Sequence, residues 1–246
     1  MIQHNVVQGS ESWHKLRAGI VTASELHRII TPSRLTLSEQ RHEYQAHLLM
    51  EWIWGQPILS DEETKWMQAG TDQQDTAMRA YEFETGSEVT CAGFYTTDDG
   101  MIGASPDGLV GEHGLLEIKG RKPVLHLLSM MRKEEFALSH RIQVQGQLYV
   151  CDERETDDLY CFSLARSPIP NFVIPCHREK TVQDALRPAL TKFTDELLER
   201  RAWLEREFGP FQRNNPEGRS AATDHLGITD EDADALIAAR FNRNGA

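Results

Sequence analysis

A chain of 246 residues has room for one large domain, or a domain with a tail, and its 39% apolar and 26% charged residues are ordinary globular usage. No apolar run reaches 18 residues, and the most apolar helix-like stretch, residues 46–54, contains His47 and Glu51, so a membrane span is excluded. A net charge of −12 argues against a protein that coats nucleic acid, yet leaves room for a local basic groove on an otherwise acidic exterior. The start, Met1 to Asn5, lacks the basic and apolar segments of a signal peptide, so the expected compartment is the cytoplasm. Cys91, Cys151, Cys161 and Cys176 form no C-x-x-C pair and read as reduced thiols rather than zinc or iron–sulfur ligands.

Chain order then sets the elements. Thr22 or Ser24 can cap a short helix running towards Ile30 and ended by Pro32. Residues 38–54 read as a helix with Ser38 as its cap and Gly55-Gln56-Pro57 as its stop. A second helix is expected from about Glu63 to Phe83, with Met67, Gly70, Ala77 and Tyr81 at helical spacing and Gly86 at its end. Val89–Tyr95 and Met101–Ala104 read as strands around the turn Asp98-Asp99-Gly100. Leu109-Val110 and Leu115–Lys119 flank Gly111–Gly114 as a hairpin. Helices are expected over 124–136 and 138–150, strands over Leu159–Leu164 and Phe172–Ile174, and a long helix over about Val182–Phe208. The domain is thus expected over residues 1–210. Residues 211–222 have linker composition, and a short helix from Thr229 completes a tail over 211–246. The order predicts a mixed α/β (α+β-like) domain, a central mixed sheet flanked by helices.

The densest chemistry is Ser105-Pro106-Asp107-Gly108 followed by Glu117-Ile118-Lys119. Alternation along a strand points Glu117 and Lys119 to one face, with Leu116 and Ile118 to the other. If the hairpin turns at Glu112-His113, Asp107 lies beside Glu117 on the neighbouring strand. Two converging carboxylates make a hard-oxygen site for Mg²⁺ or Mn²⁺, and the Ile118 carbonyl can add a third oxygen. Lys119 could orient or deprotonate an attacking water and offset phosphate charge. That set describes metal-assisted phosphodiester hydrolysis, although E-x-K alone is a common chance pattern and Pro-Asp-Gly is first of all a turn. In the helix from Leu138, Gln145 sits on a partly apolar stripe. A buried amide needs partners there, which Lys119, a metal-bound water or the backbone would all supply.

Three blocks in register carry a more specific signal: Trp13, Arg17, Gly19, Ile20, Thr22, Ala23, Ser24 and Glu25; Ser105 to Leu109 with Glu117 to Lys119; and Gln143 to Gln145. Over roughly residues 13–205 the chain resembles the bacteriophage lambda exonuclease and YqaJ viral-recombinase family, within the PD-(D/E)xK nucleases. The resemblance implies a restriction-endonuclease-like core. It implies Asp107 and Glu117 as metal ligands beside the Ile118 carbonyl, and Lys119 as the catalytic lysine supported by Gln145. Arg17, assisted by Ser24 and lined by Trp13, would bind a terminal 5′-phosphate. The implied activity is 5′-to-3′ digestion of one strand of linear double-stranded DNA, with one or two Mg²⁺ (or Mn²⁺) per site. The 3′ single-stranded ends would pass to a single-strand annealing protein in phage-type recombination. A ring-shaped homotrimer in the cytoplasm of a bacterial host completes the implied picture.

One departure stands out. The family often carries a further metal-ligating Glu four residues after a Gly, where this chain has Gly70 and Gln74, with Asp75 next to it. Gln can ligate through its carbonyl but adds no charge, and Asp75 or Glu63 could substitute. Rival readings are a restriction- or resolvase-type endonuclease, which would cut closed circles, and a catalytically weakened module that holds DNA ends. An iron–sulfur nuclease is disfavoured by the scattered cysteines.

Overall fold

The computed structural model describes residues 1–58, 61–209 and 211, side chains of residues 61–72 excepted. The expected linker and tail beyond residue 211, the expectations for Met67 and Gly70, and Glu63 as a substitute ligand therefore lie outside what is described. The elements are β1 (Ile2–His4), α1 (Glu11–Arg17), β2 (Val21–Thr22), a 3₁₀ segment (Ala23–Arg28), α2 (Arg41–Trp54) and α3 (Asp61–Thr85). Then come β3 (Val89–Thr90), β4 (Phe94–Thr96), β5 (Ile102–Ala104), β6 (Gly108–Val110) and β7 (Gly114–Arg121). α4 (Pro123–Met131), α5 (Lys133–Val150), β8 (Thr156–Ser163), β9 (Phe172–His177) and α6 (Lys180–Phe208) complete the described part.

The strands form two mixed sheets rather than one. β1-β4-β5-β2 is the smaller, and β3-β6-β7-β8-β9 the larger. In the larger sheet β7 and β8 run parallel and every other pair is antiparallel. The strand expected over Val89–Tyr95 is in fact two strands in different sheets. Between them Gly93 takes φ 76°, where a Cβ would stand 2.7 Å from the His4 carbonyl oxygen, so the chain turns out of one sheet into the other. The helix expected after Thr22 is 3₁₀ and receives no side-chain cap, because the Thr22 and Ser24 hydroxyls meet each other at 3.3 Å.

α5 is buried on two sides. Ile142 and Leu148 join the main core with α2, α6 and the small sheet, while Val144 packs with Phe136, Leu159, Cys161 and Phe172 against the large sheet. Gly146 lets the 3₁₀ segment approach: a Cβ there would fall 2.3 Å from the Leu26 Cδ1. α3 covers the opposite face of the large sheet, where Ala77 and Tyr81 meet Leu116 and Tyr160. β7 is thereby sandwiched between α5 on the Glu117 side and α3 on the Leu116 side. Among the described residues no helix is long and apolar enough to cross a membrane.

Candidate active site

β7 carries the site because its neighbours hold it in register. Gly108 stands opposite Leu116, and the Asp107 N–H donates to the Leu116 carbonyl at 2.9 Å. Asp107 therefore falls beside Glu117, as the hairpin reading expected. Its Oδ2 accepts the Ile118 N–H at 2.6 Å, and its Oδ1 accepts the Gln74 side-chain Nε2–H at 2.9 Å. Ile118 thus meets Asp107 through its N–H. Burial, and then the charge of Glu117, push the Asp107 carboxyl up to about 7.

Glu117 is 4% exposed and fully engaged. Its Oε1 pairs with Lys119 Nζ at 2.7 Å and accepts Gln143 Nε2–H at 2.7 Å, and its Oε2 accepts Gln147 Nε2–H at 2.5 Å. Lys119 Nζ also donates to Gln143 Oε1 at 2.9 Å. Chemistry fixes how this amide points: the ammonium only donates and the carboxylate only accepts, so the Gln143 oxygen must face Lys119 and its nitrogen Glu117.

Gln145, the glutamine expected at Lys119, is elsewhere. Its Nε2 donates to the His177 carbonyl at 2.7 Å, and its Oε1 accepts the Glu179 N–H at 2.9 Å, tying α5 to the start of α6. The structure brings Gln143 and Gln147 to the carboxylate instead. Gln74 does reach the site, but with its amide nitrogen towards Asp107 and also 3.3 Å from Gln8 Oε1. Asp75 is exposed on the neighbouring position of α3.

Sequence reasoning also missed Asp157, which stands opposite Leu115 on β8. It is wholly buried, neither carboxyl oxygen has a hydrogen-bond partner among the described residues, and the Gln147 Oε1 also lacks one. Desolvation, then the charges of Glu117 and Asp107, hold its carboxyl well above the usual range.

Among the described residues no group of three or more His, Cys, Asp or Glu side chains is placed to hold a metal. The donor set is two carboxylates, Asp107 and Glu117, with backbone and amide oxygens nearby. Those are hard donors, and the burial and repulsion from Glu117 that raise Asp107 are what a divalent cation would offset, so the residues fit Mg²⁺ or Mn²⁺.

Beside this lies a cavity of about 440 Å³ whose lining includes Trp13, Arg17, Thr22, Arg28 and Tyr44. Trp13 and Arg17 are one helical turn apart on α1, which the Ser10 side chain caps at the Trp13 N–H. Their side chains stack, with the guanidinium carbon 4.1 Å from the indole centroid. Arg17 forms no ion pair among the described residues, and burial makes it less basic than an ordinary arginine. Trp13 Nε1–H donates to Ser105 Oγ at 2.6 Å, which joins this cavity to the strand entry two residues before Asp107. Ser24 meets Thr22 at the margin rather than lining the cavity.

A family model described as the YqaJ-like viral recombinase domain matches residues 12–154, more than half of the chain, and spans Trp13, Arg17, Gln74, Asp107, Glu117, Lys119, Gln143 and Gln147. The alkaline exonuclease LHK-Exo from Laribacter hongkongensis is similar at 27% identity and TM-score 0.69, over 80% of this chain and 97% of that one. Its complex with dAMP gives 28% identity and TM-score 0.68 over the same shares. A phage related exonuclease from Haemophilus somnus 129PT, at 16% identity and TM-score 0.58 over 74% of this chain and 96% of that one, is alike in fold. No curated relative matches the chain.

Proposed function

Because the chain belongs to the YqaJ-like viral recombinase family, we propose that it is a divalent-metal-dependent exonuclease that digests one strand of linear double-stranded DNA from the 5′ end. The observation that carries this reading is the joining of two sites: the Asp107–Glu117–Lys119 cluster, locked by Gln143, and the Arg17 cavity, linked to it through Trp13 and Ser105. The 3′ single-stranded end left behind would suit a single-strand annealing partner, and a ring trimer would keep the enzyme on its duplex.

Hydrolysis adds water across a P–O bond: the water oxygen joins phosphorus, the bond to the 3′ oxygen breaks, and that oxygen takes a proton. A bound Mg²⁺ or Mn²⁺ would supply Lewis-acid stabilisation of the charge that builds on the phosphoryl oxygens. Asp107 and Glu117 would hold it, with the Ile118 carbonyl beside them. Lys119, aimed by Gln143 and Glu117, orients the attacking water and offsets charge on the phosphoryl group. Gln147 holds the second oxygen of Glu117, so the carboxylate cannot swing away. Each cut releases a mononucleotide and leaves a new 5′-phosphate, the group that Arg17 can grip as a planar fork, with Trp13 holding that fork in place.

One observation favours a second reading, a weakened nuclease that mainly holds ends: the Gln74 amide nitrogen occupies an Asp107 oxygen where a carboxylate would add charge. Both readings are tested by digesting linear duplexes with 5′-phosphate, 5′-hydroxyl or hairpin-closed ends, with Mg²⁺ and with EDTA. Metal-dependent shortening of the phosphorylated ends, slower on hydroxyl ends and absent on closed ones, supports the exonuclease. Tight end binding without shortening supports the weakened form.

A further inference from the structure

We propose that Arg121 forms a second phosphate subsite, receiving a backbone phosphodiester of the DNA strand next to the one that is cut; this rests on the nuclease reading above. Arg121 ends β7 two residues beyond Lys119, so its side chain leaves the same face as Glu117 and Lys119, about 6.6 Å further along the strand. That step is comparable to the separation of successive phosphates on one DNA strand. The backbone there is pinned: Arg121 pairs with Ser163, and its carbonyl accepts the Leu164 N–H at 2.9 Å.

The guanidinium is aimed without being neutralised. His140 Nδ1 lies 2.7 Å from the Phe136 carbonyl oxygen, which can only accept, so Nδ1 carries the proton. The lone pair on Nε2 therefore faces Arg121 Nη2, 3.2 Å away, and accepts from it. Burial above all holds this imidazole neutral, down to about 4. The Phe136 ring supports the guanidinium from one side, with its centroid 5.8 Å from the guanidinium carbon. Among the described residues no carboxylate comes within ion-pair distance of Arg121. Arg141, next to His140, shows the contrast, since Glu179 takes its guanidinium at 2.5 Å.

A held, uncompensated cation beside a hydrolytic cluster calls for an anion from outside the fold, and the planar fork matches a phosphodiester. Local charge agrees. The segment from Lys119 to Lys133 holds five basic residues and no acidic one, in a chain of 26 basic and 38 acidic residues. Arg121 is then a positioning residue: it sets the register of the strand over Asp107 and Glu117 and takes no part in bond making.

The test measures KM and kcat on a 5′-phosphorylated linear duplex with Mg²⁺ at several salt concentrations, together with Tm, for the wild type, Arg121→Gln and Arg121→Lys. Loss of one charged hydrogen-bonded contact should raise KM about tenfold in Arg121→Gln, with a smaller change in kcat. The slope of log KM against log salt should fall by about 0.9, the share of one phosphate. Arg121→Lys should keep the slope while raising KM, because the charge stays and the fork goes. Wild-type KM and slope in Arg121→Gln would overturn the inference, as would a loss confined to kcat with the slope unchanged. If Arg121→Gln does not fold, Arg121→Lys decides, and an unchanged KM there overturns it. A wild type that degraded no duplex would sink the nuclease reading and this inference together, whereas an active wild type with an indifferent Arg121→Gln sinks this inference alone.

Discussion

Two glutamines two residues apart on α5 should fail in opposite ways, and Gln143→Leu against Gln145→Leu measures it. Gln143 makes two hydrogen bonds to charged groups, at 2.9 Å to Lys119 and 2.7 Å to Glu117. Removing both leaves Lys119 with its ion pair and Glu117 with Gln147, so the cluster loosens without collapsing. A net loss of about 2–3 kcal/mol in the transition state corresponds to a fall in kcat of roughly 30- to 150-fold. Gln145→Leu instead orphans the His177 carbonyl and the Glu179 N–H. At about 1–3 kcal/mol for each unsatisfied group the stability loss is about 3 kcal/mol, or roughly 6–12 °C in Tm for a chain of this size. The assay pairs single-turnover digestion of a phosphorylated duplex with a thermal melt of each variant. Gln143→Leu should be slow with a Tm near wild type, and Gln145→Leu should melt early yet cut at close to the normal rate below its Tm. The reverse pattern, a stable but dead Gln145→Leu beside an active Gln143→Leu, would refute the assignment.

Arg17→Ala should weaken use of 5′-phosphorylated ends about thirtyfold, from about 2 kcal/mol of charged hydrogen bonding, and affect 5′-hydroxyl ends much less; equal loss on both ends would make Arg17 a fold or general DNA-binding residue. Gln74→Glu puts an anionic ligand at the position whose amide nitrogen now donates to Asp107 Oδ1, and it should lower the Mg²⁺ concentration for half-maximal rate; an unchanged metal titration would put residue 74 outside the metal's reach. Asp107 gives a pH test. Its folded value of about 7 lies above the unfolded 3.8, so its contribution to metal-free stability is present below about pH 4 and is lost as pH rises through about 7. In EDTA the Tm of the wild type relative to Asp107→Asn should therefore fall between pH 5 and 8, and the Tm gain on adding Mn²⁺ should grow over the same range. A difference that stays flat would show that Asp107 ionises normally without metal.

The carboxylate pair was legible because strands alternate strictly. Once Glu117 and Lys119 share a face, one hairpin turn suffices to set Asp107 beside them. The choice among glutamines was not legible by the same logic. Ile142, Val144, Gln145, Gly146, Gln147 and Leu148 are all buried, so the second half of α5 has no exposed polar side to reveal which stripe faces β7. A usable signal did exist: Gln143 and Gln147 are four residues apart, one turn, and both reach Glu117. The break at Gly93 was hidden because two short strands in line read as one, and only the approach of β1 explains the turn. The end of α4 was misplaced because the joint at Arg132 carries neither Gly nor Pro. Asp157 was invisible because it adjoins Asp158 in an acid-rich stretch before the expected strand start at Leu159, and such acids read as solvent-facing until the sheet closes over them.

The proposed activity is metal-dependent removal of nucleotides from the end of a DNA duplex. It is tested most directly by incubating a uniformly labelled, 5′-phosphorylated linear duplex and a covalently closed circle of the same sequence with the protein and Mg²⁺, and resolving the products by mass. The expected outcome is 5′-mononucleotides and a growing 3′ single strand from the linear duplex, an intact circle, and no product in EDTA. A nicked or linearised circle, or oligonucleotide fragments in place of mononucleotides, would contradict it.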